Sequence, residues 1–285
     1  MKEYRKSIGV SQAELAEGIC TQAFLSLIEK GDSYPSIDIA YWLSSRLGIN
    51  IDYLMESSFD NNHDYYLEVE EQLREASTSR SYESLQQIIN TEINNYVFQK
   101  GYKRKLLLWH QGIVDFFYYK NLNKALHTLD VALNLEGKNT KAYKMNLEIM
   151  ICKGNIYVDT GDYKTAINIY EEVSDILLLQ ENYTDIYLHI RLLYNLARTH
   201  MLLNQYELSI QYCEKAIKMC HKNYIFYALG DCYIILGLNL QKSEKIAEAK
   251  DEFNNGLIAY KLQKNISGIH QTTLKLSELE SYLPN

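Results

Sequence analysis

Proline is nearly missing from this chain. Two occur in 285 residues, at 35 and 284. The long span between them has no residue that removes a backbone donor, and it carries a 3.6-residue apolar period, so the body is predicted to be almost entirely helical. Paired cysteines are missing too. The five (20, 152, 213, 220 and 232) show no CxxC spacing, and each sits among apolar neighbours. That pattern implies buried free thiols in a reducing compartment and excludes a zinc site or a disulfide framework. No apolar run reaches the roughly 18 residues of a membrane span, so no membrane association is expected. The N-terminus MKEYRKSIGV lacks an apolar signal core, which points to the cytoplasm. Positive charge is not in excess: the formal net charge is −7, so bulk charge does not draw the protein to polyanions. There is no phosphate-cradling glycine loop, no HExxH and no Ser/His/Asp order, and the seven histidines are scattered. Catalytic residues, cofactors and metals are therefore not expected, and the chain does not read as an enzyme.

What is plentiful is amphipathic helix and tyrosine, with 25 of the latter. A tyrosine packs an apolar ring and still offers a hydroxyl, which suits helix-pair cores and peptide grooves alike. The most informative stretch is Gln12 to Gly31, QAELAEGICTQAFLSLIEKG. Ser11 and Glu14 form a capping box for a first helix, Gly18-Ile19-Cys20 breaks it, and Thr21 caps a second helix whose Leu25 and Ile28 face inward. Pro35 closes the segment, and a third amphipathic run, 37–47, packs across it on Ile39, Leu43 and Leu47. Two helices crossed over a tight turn set a recognition helix into the DNA major groove. Gln12, Glu14-Leu15-Ala16, Ile28-Glu29-x-Gly31, Pro35 and Leu47-Gly48-Ile49 resemble the Xre/Cro-like helix-turn-helix family over positions 1–57. On that resemblance Gln22, in the first turn of the second helix, is the base reader, since its amide matches the N6/N7 edge of adenine. Ala23 and Leu27 stand where related repressors also read bases, and can offer only an apolar contact to a thymine methyl. Thr21, Ser26 and Lys30 line the same helix, the last two as backbone contacts, and Gln12 faces phosphate. The head holds five basic residues (Lys2, Arg5, Lys6, Lys30, Arg46) against eight acidic ones, a net of −3. Its first helix is about two turns shorter than in related heads.

Residues 58–64, polar and rich in Asn and Asp, read as a linker. From 65 to 285 the chain repeats. Gly154, Tyr157, Gly161-Asp162, Ala166, Tyr170 and Val173 form the clearest unit, and the same frame fits around Ile113, Ala197 and Gly237, at spacings of 41, 43 and 40. A fainter copy places Leu85 and Ile89 on a second helix, and residues 265–283 form a closing helix. Small residues at 125, 166, 209 and 249 mark where paired helices approach closely. The pattern resembles degenerate tetratricopeptide repeats, which implies a right-handed, TPR-like α-solenoid with a concave face. Asn195 stands beside a small-residue position on that face, where its amide can hold the main chain of an extended peptide. Asn155, Lys153, Arg191 and Asp231 lie in comparable phases on neighbouring repeats. His200 occupies a packing position.

An Xre-type head (1–57) followed by five degenerate tetratricopeptide pairs resembles the PlcR/Rgg-like (RRNPP) quorum-sensing regulators. So do the turn at ICTQAF and the YPSIDI segment after the recognition helix. The resemblance implies an all-α transcriptional regulator that pairs into a homodimer, binds a double-stranded operator and responds to a short signalling peptide, with Asn195 as the peptide-gripping asparagine. The competing reading is an interaction scaffold that sequesters a protein partner, with a head that binds DNA weakly or not at all.

Overall fold

The computed structural model describes residues 1–51, 63–135, 140–179 and 185–280. Those residues form fifteen α-helices and one short 3₁₀ turn, with no strand among them. The chain divides into two compact units, 1–99 and 100–285.

The first unit opens with α1 (Lys2–Ser7), α2 (Gln12–Ala16), α3 (Gln22–Lys30) and α4 (Ile37–Leu47). The capping box closes at both ends: the Ser11 hydroxyl accepts from the Glu14 amide at 3.2 Å, and the Ser11 amide donates to the Glu14 carboxylate at 2.7 Å. The Thr21 hydroxyl caps α3 through the Phe24 amide. Gly31 ends α3 in the left-handed conformation (φ 83°), which a side chain would strain. Leu15, Ala16, Leu25, Ala40, Leu43 and Leu47 form the core, with Ile28 and Ile39 packed against it. Two further helices, α5 (His63–Thr78) and α6 (Tyr82–Glu92), form an antiparallel pair that buries Leu73, Leu85 and Ile89. Of the expected linker, 58–62 lie outside the described residues, and positions 63 and 64 already belong to α5.

The second unit is a succession of helix pairs: α7 (Gly101–Phe117) with α8 (Leu122–Asn134), α9 (Thr140–Asp159) with α10 (Tyr163–Leu178), α11 (Ile186–Leu202) with α12 (Tyr206–Lys222), and α13 (Leu229–Lys242) with α14 (Ile246–Leu262). Helix α15 (Ile266–Glu280) closes the unit. The first helices of successive pairs lie side by side. Within a pair, the turn is made by a left-handed residue followed by the next helix's N-cap, as at Gly161-Asp162, Asn204-Gln205 and Glu244-Lys245. In each of these three turns the N-cap amide bonds to a carbonyl five residues back, so one of the orphan carbonyls at the helix end is satisfied.

The first pair departs from this rule and corrects the expected register. The Asn121 amide reaches six residues back, to Asp115, so the α7–α8 turn holds one extra residue. The close-approach position is therefore Gly112, not Ile113. A Cβ on Gly112 would lie 2.6 Å from Leu129, as one on Gly154 would lie 2.3 Å from the Tyr170 ring and one on Gly237 2.6 Å from Phe253. Counting twelve back from Ala125 stops one residue short, because the turn holds the inserted residue.

All five cysteines are free thiols. Burial raises those of Cys152 and Cys220 to about 11 and that of Cys213 to about 12, so none of the three is a poised nucleophile.

Candidate nucleic-acid interface and ligand cradle

Helix α3 presents Thr21, Gln22, Ala23, Leu27 and Lys30 to solvent, with Ser26 half-buried. The Gln22 side chain is thus available, as its position in the first turn suggested. Thr21 serves as the cap of α3. Gln12 is half-buried, and its amide donates to Glu29 at 2.8 Å.

That bond belongs to a network the sequence did not advertise. Arg5 grips Glu29 with two parallel bonds, from Nε at 2.6 Å and Nη2 at 2.9 Å, and its Nη1 donates to the Val10 carbonyl at 2.7 Å. The pair is almost wholly buried and ties α1, the start of α2 and α3 into one rigid block. Burial opposes ionisation of Glu29, but the bonds from Arg5 and Gln12 outweigh it and hold the carboxyl below its ordinary range. Arg46 is committed as well: its guanidinium donates to the carbonyls of Glu14, Leu15 and Glu17 at the end of α2. Of the five basic residues of the head, only Lys2, Lys6 and Lys30 remain as exposed lysines. Arg5 and Glu29 lie 24 positions apart, and no local spacing reveals such a pair.

In the second unit the corrected register aligns the first helices. Six residues before the close-approach position stand Leu106, Glu148, Arg191 and Asp231, one row across α7, α9, α11 and α13. Glu148 is buried and its carboxylate lies 3.4 Å from the Arg191 guanidinium. Asp231 accepts from the Tyr260 hydroxyl at 2.8 Å. One residue after the marker stand Asn155 and Arg198. Asn155 accepts from the Tyr170 hydroxyl at 2.6 Å, and Arg198 lies 3.6 Å from Asp159. Lys153 turns to the neighbouring pair and bonds Asp130 of α8. The structure thus sets Arg191 and Asp231 in one row, Asn155 in a second, and Lys153 on a flank.

Asn195 sits one turn beyond Arg191 on the same face of α11. It is only 6% exposed, and its Nδ2 has no hydrogen-bond partner. The Nε of Arg191 is likewise buried and without a partner. Two donors one turn apart, neither satisfied, make a place suited to an acceptor. The phenols around them stay protonated. Burial, reinforced by the charge of Asp231, raises Tyr194 to about 12 and lifts Tyr260 still further. Burial also raises Tyr227, with the positive charge of Arg191 opposing. These tyrosines are therefore neutral donors at physiological pH.

Other buried polar groups fix the stack. His200 packs as expected, its ring stacked on Tyr212 at 5.3 Å and its Nδ1 2.7 Å from Gln205. Asn239 donates to the Ser209 hydroxyl at 2.6 Å, which donates in turn to the Ala197 carbonyl at 2.7 Å. Lys105 is buried with Asn146 as its acceptor, and burial lowers its pKa. Among the described residues no group of three His, Cys, Asp or Glu could hold a metal, and no helix is long and apolar enough to cross a membrane.

A helical head with a capped recognition helix, joined in one chain to stacked helix pairs, defines a helix-turn-helix protein with a TPR-like domain. Residues 70–276 match the RNPP family C-terminal domain and residues 1–54 match a helix-turn-helix domain. The chain belongs to the RNPP family. Its fold is similar to that of Bacillus thuringiensis PlcR in complex with the peptide PapR7 and DNA, with a TM-score of 0.84, 23% identity and 96% of each chain covered. It is also similar to ComR from S. thermophilus in complex with DNA and its signalling peptide ComS, with a TM-score of 0.62, 16% identity and 98% of each chain covered. A third similar structure is the SHP pheromone receptor Rgg2 of Streptococcus dysgalactiae, with a TM-score of 0.65, 14% identity and 97% of each chain covered. No curated protein sequence matches the chain.

Proposed function

We propose that this protein is a homodimeric transcriptional regulator of the cytoplasm. Its heads bind double-stranded operator DNA through α3, and its second unit binds a short signalling peptide along α9, α11 and α13. The reading is carried by Asn195: a nearly buried amide with an unsatisfied donor, on the helix face shared with Arg191. Leaving such a donor unmet costs about 1–3 kcal/mol, which a peptide carbonyl at that position offsets. Family membership and the likeness to peptide-bound and DNA-bound PlcR and ComR support the same reading. In it Gln22 reads a base, Ala23 and Leu27 contact thymine methyls, Ser26, Lys30 and Gln12 contact phosphate, and Thr21 positions the helix. Asn195 and Arg191 grip the peptide main chain, while Asn155, Asp231 and Lys153 flank it, already held by Tyr170, Tyr260 and Asp130. No residue is assigned a catalytic role.

Calorimetry with synthetic peptides from the C-terminus of the small open reading frame nearest the gene tests the cradle. Replacing Asn195→Ala weakens binding at least tenfold, on the order of 1.4 kcal/mol, with helicity retained. Unchanged affinity removes Asn195 from the site.

A further inference from the structure

Among the described residues, no basic side chain pairs with the Asp231 carboxylate. Asp231 is half-buried near the start of α13, in the row that carries Glu148 on α9 and Arg191 on α11. The guanidinium of Arg191 faces Glu148 at 3.4 Å, and that of Arg198 lies 3.6 Å from Asp159, so both cations of this stretch of α11 are directed elsewhere. Asp231 has a neutral partner instead: its Oδ1 accepts from the Tyr260 hydroxyl at 2.8 Å. The row thus holds two carboxylates against one guanidinium, and the uncompensated charge is that of Asp231. A carboxylate accepts several hydrogen bonds, so its second oxygen is left for another donor.

The wall around it is aromatic. A Cβ on Gly230 of α13 would lie 2.6 Å from the Tyr260 ring, and one on Gly268 of α15 would lie 2.7 Å from it. Glycines on two helices therefore let the ring close in and fix the hydroxyl that holds Asp231. Burial raises the phenols of Tyr194, Tyr227 and Tyr260, and the negative charge of Asp231 adds to it in each, so all three lie within reach of that charge. Tyr187 extends the wall, its ring meeting that of Tyr227 edge-on at 5.7 Å, and both keep a surface open to solvent. Neutral phenols beside one carboxylate present negative ring faces and no cation, an environment that attracts an ammonium or guanidinium. Asn195, 6% exposed with its Nδ2 unmet, points to a ligand on the same run of helices. Packed helices lie roughly 8–10 Å apart, and an extended chain advances about 3.3 Å per residue. A main chain held on α11 by Asn195 thus brings a group about three positions along over α13.

We propose that Asp231 and its tyrosine wall form a subsite that selects a peptide bearing a cation, either the side chain of Lys or Arg or a free N-terminal ammonium. The inference rests on the peptide cradle of the proposed function and gives it a charge preference.

Affinity selection on the full chain, read by mass spectrometry, tests the subsite. The probes are synthetic heptapeptide pools of uncharged residues with one position fixed as Lys, Arg, norleucine or Glu, each made with a free and with an acetylated N-terminus. The wild type retains pools that carry a cation about tenfold over the acetylated norleucine pool. Asp231→Asn keeps an oxygen for the Tyr260 hydroxyl, so its helicity is unchanged while the preference is lost. Tyr227→Leu lowers the enrichment, and Tyr227→Phe, which retains a ring, preserves it. Enrichment that survives acetylation supports the subsite and assigns the cation to a side chain; enrichment that acetylation removes supports it and assigns the terminus. Equal retention of all pools, a preference for Glu, or a cation preference unchanged in Asp231→Asn overturns the subsite and leaves the cradle standing. A wild-type chain that retains no pool overturns both.

Discussion

Gln22 stands exposed at the first turn of α3, whose Glu29 is gripped by Arg5 of α1. In the proposed function that support lets the Gln22 amide discriminate bases. Gln22→Ala is expected to weaken operator binding by about 1–3 kcal/mol and to remove the preference at one base pair; a gel shift against operators varied one position at a time checks it. The electrostatics are meagre. With Arg5 and Arg46 held internally, each head offers three exposed lysines, so two heads give a slope of log affinity against log salt no steeper than about −5. A much steeper slope would mean that cations beyond the heads touch the phosphates. The Arg5–Glu29 pair also makes the head acid-sensitive with a definite sign. Because the folded state holds the Glu29 carboxyl below its ordinary value of about 4.3, its contribution is present above that pH and is lost as pH falls through the lower folded value. Urea unfolding of wild type and Glu29→Gln should therefore differ most near neutrality and converge in acid. Breaking the buried pair with Arg5→Ala costs about 3–5 kcal/mol.

At the scale of elements, three of the described helix pairs of the second unit are spaced by glycine against a bulky residue: Gly112 against Leu129, Gly154 against Tyr170 and Gly237 against Phe253. A Cβ at Gly154 would sit 2.3 Å from the ring of Tyr170, whose hydroxyl is fixed on Asn155 and whose ring cannot retreat freely. Gly154→Ala is therefore expected to destabilise by about 1–3 kcal/mol through overpacking. Helix propensity alone predicts the opposite sign, a gain of up to about 1 kcal/mol, so thermal unfolding decides between them. Local chemistry made much of this legible beforehand: Ser11 and Thr21 cap where their positions require, Gly31 takes the left-handed turn, and Tyr170 meets Gly154 across the helix pair. What stayed illegible is non-local or depends on a turn. One inserted residue before Asn121 moves the close approach from Ile113 to Gly112, and periodicity within helices cannot report an insertion between them. The Arg5–Glu29 grip and the Asn239–Ser209–Ala197 chain join residues that only packing brings together. In the cradle, chemistry was more visible than availability: Asn155, Asp231 and Lys153 face internal partners, while Asn195 keeps its donor unmet.

For the whole molecule, the proposed function is linkage between two compact units. Two heads on one dimer occupy half-sites together only when their separation matches about one helical turn of DNA, ~34 Å, or a multiple. A peptide affects operator binding only to the extent that it prefers one arrangement of the dimer over another. A preference of ~3 kcal/mol changes affinity more than a hundredfold, and reciprocity requires the operator to alter peptide affinity by the same factor. The most direct measurement is operator binding by fluorescence anisotropy with the wild-type dimer, titrated with DNA in the absence and presence of saturating peptide at fixed salt. The account predicts that operator affinity changes at least tenfold with peptide and that Asn195→Ala abolishes the change while leaving peptide-free binding intact. An operator affinity identical with and without a peptide that demonstrably binds would contradict it.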